Sequence, residues 1–184
     1  MNHYGYKKAI AALALFGTLS MLSVPSLRAM HAQNQQAAAM EALVSSLALA
    51  RRTATGLRSP VHLCPIGDEG ATPQCTTGLR WDRGWIVYAD TDRNGRLAPD
   101  APACTSFEPG RDCIAHTEAF ATTQAAVRID APREIFKFLP GGYRTQVGHF
   151  TVCGTANIVP RRISVSATGR VGFRARARAR DCRN

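Results

Sequence analysis

The chain has 184 residues and a formal charge of +10, from 23 Lys and Arg against 13 Asp and Glu. That length suits one domain with an appendage and is enough for a real core. Six cysteines without a C-x-x-C pair, and five scattered histidines, exclude a zinc site of the usual spacing.

The charge is local. Residues 161–184 hold eight arginines (Arg161, Arg162, Arg170, Arg174, Arg176, Arg178, Arg180 and Arg183) against Asp181 alone, so this segment is +7 and the rest only +3. Such a concentration is either a solvated face or an attractor for anionic partners.

In chain order, residues 1–8 form a short basic leader with Lys7 and Lys8 at its end. From Ala9 to Leu27 the sequence AIAALALFGTLSMLSVPSL carries no charge. As a helix it would cover roughly 28 Å, close to the thickness of a bilayer's hydrocarbon core, and is expected to be a membrane helix. The competing reading is a cleaved secretory signal, with Met30-His31-Ala32 as the nearest cleavage candidate. Both readings send the rest of the chain out of the cytoplasm. Residues 28–58 are expected to continue the helix beyond a bend at Pro25. Met40, Leu43, Val44, Leu47 and Leu57 supply its apolar face.

After Gly56 the pattern changes to short β-like runs between turn residues. They are VHLC (61–64), GWIVYAD (84–90), CIAHTE (113–118), AVRID (126–130), EIFKF (134–138), HFTVC (149–153) and RRISVS (161–166). Pro-Gly-Gly at 140–142 and Ala-Thr-Gly at 167–169 mark turns. The expected fold is α+β: one long N-terminal helix packed on antiparallel sheet, with residues 59–184 as the β-rich body. Residues 91–112, rich in Pro, Asp and Gly, are expected to be irregular.

That loop begins DTDRNG (90–95), the opening of a calcium loop of the D-x-D-x-N-G kind. In the twelve-residue register the final glutamate is replaced by Ala101, and the preceding WIVYA is strand-like rather than helical. Ordinary turn chemistry accounts for Asp and Asn before Gly, so no metal is expected. No G-x-S-x-G, H-E-x-x-H, phosphate-binding loop or dinucleotide fingerprint occurs, and neither enzyme activity nor a cofactor is expected.

An even cysteine count behind an apolar N-terminus reads as disulfides in an oxidising compartment. Six cysteines allow fifteen pairings. The expectation is that chain neighbours pair: Cys64 with Cys75, Cys104 with Cys113, and Cys153 with Cys182. The first two would close short loops, each worth about 2–3 kcal/mol on the chain-entropy model. The third would staple the basic end to the body.

Several stretches, in this order, resemble the GspH/FimT family of pseudopilins and minor type IV pilins. They are the apolar segment ending Val24-Pro25-Ser26, SLALARRTAT (46–55), SPVHLCP (59–65), WDRGWIVYADTDRNG (81–95), GHFTVC (148–153) and RRISVSATGRV (161–171). The resemblance implies a type IV pilin-like fold and cleavage by a prepilin peptidase after a glycine, with methylation of the new N-terminus. It also implies residence in the bacterial inner membrane with a periplasmic globular domain. The partners it implies are other major and minor pilins or pseudopilins, in a type IV pilus or a type II secretion pseudopilus, at or near the tip. Gly5-Tyr6 is the only cleavage candidate. The family's fifth mature residue is glutamate, whereas cleavage here would put Ile10 at that position. That glutamate neutralises a neighbouring subunit's terminal amine that would otherwise be buried without a partner, so its absence marks either a tip subunit or a degenerate, unprocessed protein.

The chain closes GRVGFRARARARDCRN. As a final strand, Phe173, Ala175, Ala177 and Ala179 would face the sheet, and Arg174, Arg176, Arg178 and Arg180 would face water. Arginines on an edge strand also deter strand addition. The alternative is capture of DNA for uptake, since family members tied to that process carry Gly-Arg-x-Arg near the C-terminus. Here Gly169-Arg170-Val171 is followed by Gly172, so the second arginine of that pattern is missing, although Arg174 lies two residues on and opens a four-arginine ladder. Same-face residues on a strand lie about 6.6–6.8 Å apart, close to two nucleotide rises along one DNA strand. Binding of that kind would be sequence-independent and sensitive to salt.

Overall fold

The structure is a computed structural model that describes residues 3–67, 73–79, 81–120, 127–141, 146–154, 158–174, 177 and 179–182. It describes no side chains for residues 3–26, 28, 106, 174, 179 and 180.

The two predicted helical segments form one element, α1 (His3–Leu57), and Pro25 lies inside it. At 1.5 Å per residue its 55 residues span about 80 Å. It closes at Arg58, whose φ of 51° is the left-handed conformation that ends many helices, and Pro60 follows. From Ala32 onward α1 buries a stripe along one face: Ala32, Gln36, Ala39, Met40, Leu43, Ser46, Leu47, Ala50 and Ala54. Val44 and Leu57, also expected on this face, are half-buried against the same core. The alanines matter because their short side chains let the helix backbone approach the strands closely.

Eight strands follow: β1 (Val61–Pro65), β2 (Gly84–Ala89), β3 (Cys113–Ala119), β4 (Val127–Asp130), β5 (Phe136–Phe138), β6 (Gly148–Gly154), β7 (Arg161–Val165) and β8 (Val171–Arg174). They form two four-stranded sheets, β3-β2-β1-β5 and β4-β6-β7-β8, with every neighbouring pair antiparallel. The chain switches sheets three times between β3 and β6, which interlocks them. Gly169, with φ of 70°, turns β7 into β8.

α1 packs against both sheets, and one buried hydrogen bond set reaches each of them. The Trp85 indole on β2 donates to Ser46 Oγ at 2.9 Å. The Gln36 side-chain amide donates to the carbonyl oxygens of Val152 (3.0 Å) and Val159 (3.2 Å) beside the second sheet. Between the sheets, Phe136 of β5 stacks on Phe150 of β6 with centroids 4.4 Å apart, and Trp81 meets both rings edge-on. Gly148 is required there, because a Cβ would lie 2.5 Å from the Phe136 ring.

The first sheet is covered on its other face too. His62, Cys64, Ile86 and Tyr88 point away from α1 and lie under Leu97, with Ile66, Ala101, Ile114 and Ile135 around them. The irregular segment 91–112 supplies this lid, which explains why β2 reads as the unbroken apolar run WIVYA rather than as an alternation.

Truncating Leu43 to alanine should lower stability by about 2–5 kcal/mol, whereas Val147→Ala at the exposed surface should change it by less than about 0.5 kcal/mol. Chemical denaturation of the two variants checks this contrast.

Candidate functional site

Three regions carry the residues that the sequence singles out: the N-terminal part of α1, the basic end, and the loop after β2. Gly5, Tyr6 and the segment Ala9 to Leu27 lie on α1. Their side chains, apart from that of Leu27, are not among those described. Among the described residues, no helix is long and apolar enough to cross a membrane. What the structure does show is where α1 leaves the body. Ala32 is its first described buried residue, while Leu27 and Met30 are 62% and 59% exposed. The C-terminal half of the helix thus belongs to the globular domain, and a stem extends beyond it.

Three disulfides join the cysteines that are neighbours in the chain: Cys64–Cys75, Cys104–Cys113 and Cys153–Cys182. The first holds the segment after β1 on the outer face of the first sheet. The second ties the 3-10 turn Cys104–Ser106 to the start of β3. The third fixes the basic end to β6.

At that end the continuous strand expected through Ala179 does not form. β8 is described as far as Arg174, the Ala177 N–H donates to the Pro160 carbonyl at 2.9 Å, and Ala179–Cys182 is a 3-10 turn. The reason is geometric. Cys182 has to reach Cys153 on β6, which is separated from β8 by β7. The chain must therefore turn back across the start of β7 instead of running straight along the edge. An ion pair between Arg162 of β7 and Asp181 pins the same turn.

Phe173 does take the core-side register, opposite Ile163, yet it is 64% exposed because β8 is an edge strand. Ala177 is buried as expected. Arg170 is exposed, Arg174 stands opposite Arg162 in the ladder, and Arg180 is in the 3-10 turn. Arg176 and Arg178 lie outside the described residues. The arginines of the expected ladder are therefore not all on one strand.

The loop after β2 holds a buried polar network. Asp90 is fully buried; its Oδ2 accepts the Gly95 N–H at 3.2 Å and lies 3.4 Å from His62 Nε2. His62 Nδ1 is 2.9 Å from the Tyr88 hydroxyl, which donates to the Gly95 carbonyl at 3.3 Å. Asp112, far along the loop, accepts the Thr91 N–H (2.9 Å) and the Ala98 N–H (3.3 Å). Burial raises the Asp90 carboxyl above the usual carboxylate range, and Asp112 adds to this against the Gly95 hydrogen bond. Burial, helped by Lys137, holds His62 down at about 4. Burial and the neighbouring aspartates raise the Tyr88 phenol. Neither His62 nor Asp112 belongs to the DTDRNG motif; a buried-strand histidine and an aspartate beside a cysteine give no sequence signal of a shared site.

His149 on β6 is neutral-favouring: burial lowers its pKa first, then Arg162, with Asp181 opposing. Its folded pKa lies below the unfolded value near 6.5, so its stabilising contribution is present above that value and is lost as pH falls from there through the folded pKa. His149→Gln should therefore lose less thermal stability than the parent on acidification below pH about 6.5, as read from melting curves against pH. The double variant Cys153→Ser/Cys182→Ser should lose about 2–5 kcal/mol of stability. It should also release its arginine-rich end faster under limited trypsin digestion.

The family described as type II transport protein GspH matches residues 39–169. No curated protein sequence matches the chain significantly. Two crystal structures of the type IV minor pilin FimU of Pseudomonas aeruginosa strain PAO1 are similar to it. Each is 20% identical and covers 77% of this chain; they are covered over 90% and 91% of their own length, with TM-scores of 0.49 and 0.46. The family match runs from the packed half of α1 to the β7–β8 turn. By that match the chain belongs to the GspH family of pseudopilins.

Proposed function

We propose that the chain is a minor subunit of a type IV pilus or type II secretion pseudopilus. Before assembly, residues 9–27 hold it in the bacterial inner membrane by a single pass. Residues 59–184 then lie in the periplasm. The observation that supports this reading is the division of α1. A long helix packs on its domain only from Ala32 onward, leaving an N-terminal stem whose last turns expose Leu27 and Met30. Apolar side chains at the root of a stem suit packing among the helices of neighbouring subunits. The three disulfides fit an oxidising compartment.

Other major and minor pilins or pseudopilins are the partners in this reading. A prepilin peptidase would cut after Gly5 and expose Tyr6 for methylation. With Ile10 in place of the usual glutamate, the terminal ammonium would lack its partner from this chain, which favours a place at the filament tip. The family is structural rather than enzymatic, and the role proposed involves no catalysis and no cofactor. The family match lends no support to DNA capture by Arg170, Arg174, Arg176, Arg178 and Arg180.

Membrane fractionation tests the anchor. The intact chain should pellet with inner membranes, and its body should be digested by protease only after the outer membrane is opened. Deleting residues 9–27 should remove it from the membrane fraction. Mass spectrometry of the mature chain should find an N-methylated Tyr6; an intact Met1 end would refute cleavage at Gly5.

A further inference from the structure

The loop that lids the first sheet gathers three carboxylates. Asp90, Asp92 and Asp112 each place an oxygen within 4.8 Å of the other two. Asp90 is fully buried, Asp112 is 2% exposed, and Asp92 stands at the surface, so the cluster opens outward through Asp92. Like charges this close destabilise one another unless a cation or a proton intervenes.

A separate observation concerns the buried member of the cluster. Asp90 Oδ1 is enclosed and receives no hydrogen bond. Its partner oxygen already accepts the Gly95 N–H, and His62 approaches that oxygen rather than Oδ1. The neighbouring Thr91 Oγ1 is likewise enclosed without a partner. A buried carboxylate oxygen left without a donor is costly, and a metal ion removes that cost. Arg111, next to Asp112 in the chain, does not neutralise the cluster through its guanidinium, which pairs with Asp100 and Glu108.

We propose that Asp90, Asp92 and Asp112 bind a calcium ion that clamps residues 91–112 onto the first sheet. The donors are all oxygens, which selects a hard cation. They come from an irregular loop, and calcium tolerates irregular geometry with six to eight ligands, where magnesium demands a near-ideal octahedron. The twelve-residue register fails at Ala101, but the fold supplies its third carboxylate from Asp112 instead. Exposed Asp92 leaves room for water to complete the shell.

The test uses the full-length chain in detergent, freed of metal by chelator dialysis and titrated with calcium chloride or magnesium chloride in a calorimeter. Calcium should bind at one site with a dissociation constant of about 10⁻⁵ to 10⁻³ M, and magnesium more weakly. The melting temperature should rise with calcium alone. Asp92→Asn, exposed and therefore compatible with folding, should weaken calcium binding about tenfold or more with an unchanged circular dichroism spectrum. Asp112→Asn should weaken it as well, while keeping an acceptor for one of the two loop N–H groups. Absence of heat and of any melting shift up to about 10 mM calcium would overturn the proposal and leave a shared proton as the means of relieving the carboxylates. Unchanged affinity in Asp92→Asn would overturn it too, by moving the ion elsewhere.

Discussion

One stripe of α1, from Ala32 to Ala54, is the surface on which both sheets are laid. Met40, Leu43 and Leu47 each gain about 1.5–3 kcal/mol by burial, on transfer-based reckoning. The alanines between them bring the helix close enough for Ser46 and Gln36 to reach a partner in or beside each sheet. These two polar contacts give the contact a register. An apolar stripe alone could slide by a turn, but the Trp85 N–H donates to Ser46 and the Val152 carbonyl accepts from Gln36 in one register only.

With that contact in place, the sheets meet at Trp81, Phe136 and Phe150, and the three crossings between β3 and β6 prevent them from separating as independent layers. The first sheet then carries a second buried face under the loop. Such a loop has little regular hydrogen bonding of its own. It is held by Leu97 in the apolar cluster, by the Cys104–Cys113 bridge, and by Asp90 and Asp112 accepting backbone N–H groups along it. The same carboxylates that organise the loop are the ones that crowd together.

The helix links fold to function because its two ends face different tasks. Its C-terminal half is committed to the body, while Leu27 and Met30, at the root of the stem before Ala32, are exposed. The GspH family match begins at residue 39, inside the committed half, so family membership rests on the body and its helix contact. The described residues of the basic end are tied to that body by Cys182, Asp181 and the Ala177 N–H.

Much of this was legible in the chain itself. The seven β-like runs each fall on one of the first seven strands, and Met40, Leu43 and Leu47 line the buried face of the helix. Alternation and helical spacing are local properties, set by backbone geometry within a few residues. The pairing of cysteines could be guessed only by proximity along the chain. The course of the C-terminus could not be read at all, since alternation of Arg and Ala looks like a strand until the need to reach Cys153 bends it into a turn. Likewise DTDRNG, read in a local register, ends in Ala101 and points to no metal. Only the tertiary fold carries Asp112 back across the loop to Asp90 and Asp92. The sequence by itself determined the elements, because each depends on near neighbours. The meeting of side chains distant along the chain depends on how the sheets and the lid close, and that was decided by the tertiary structure.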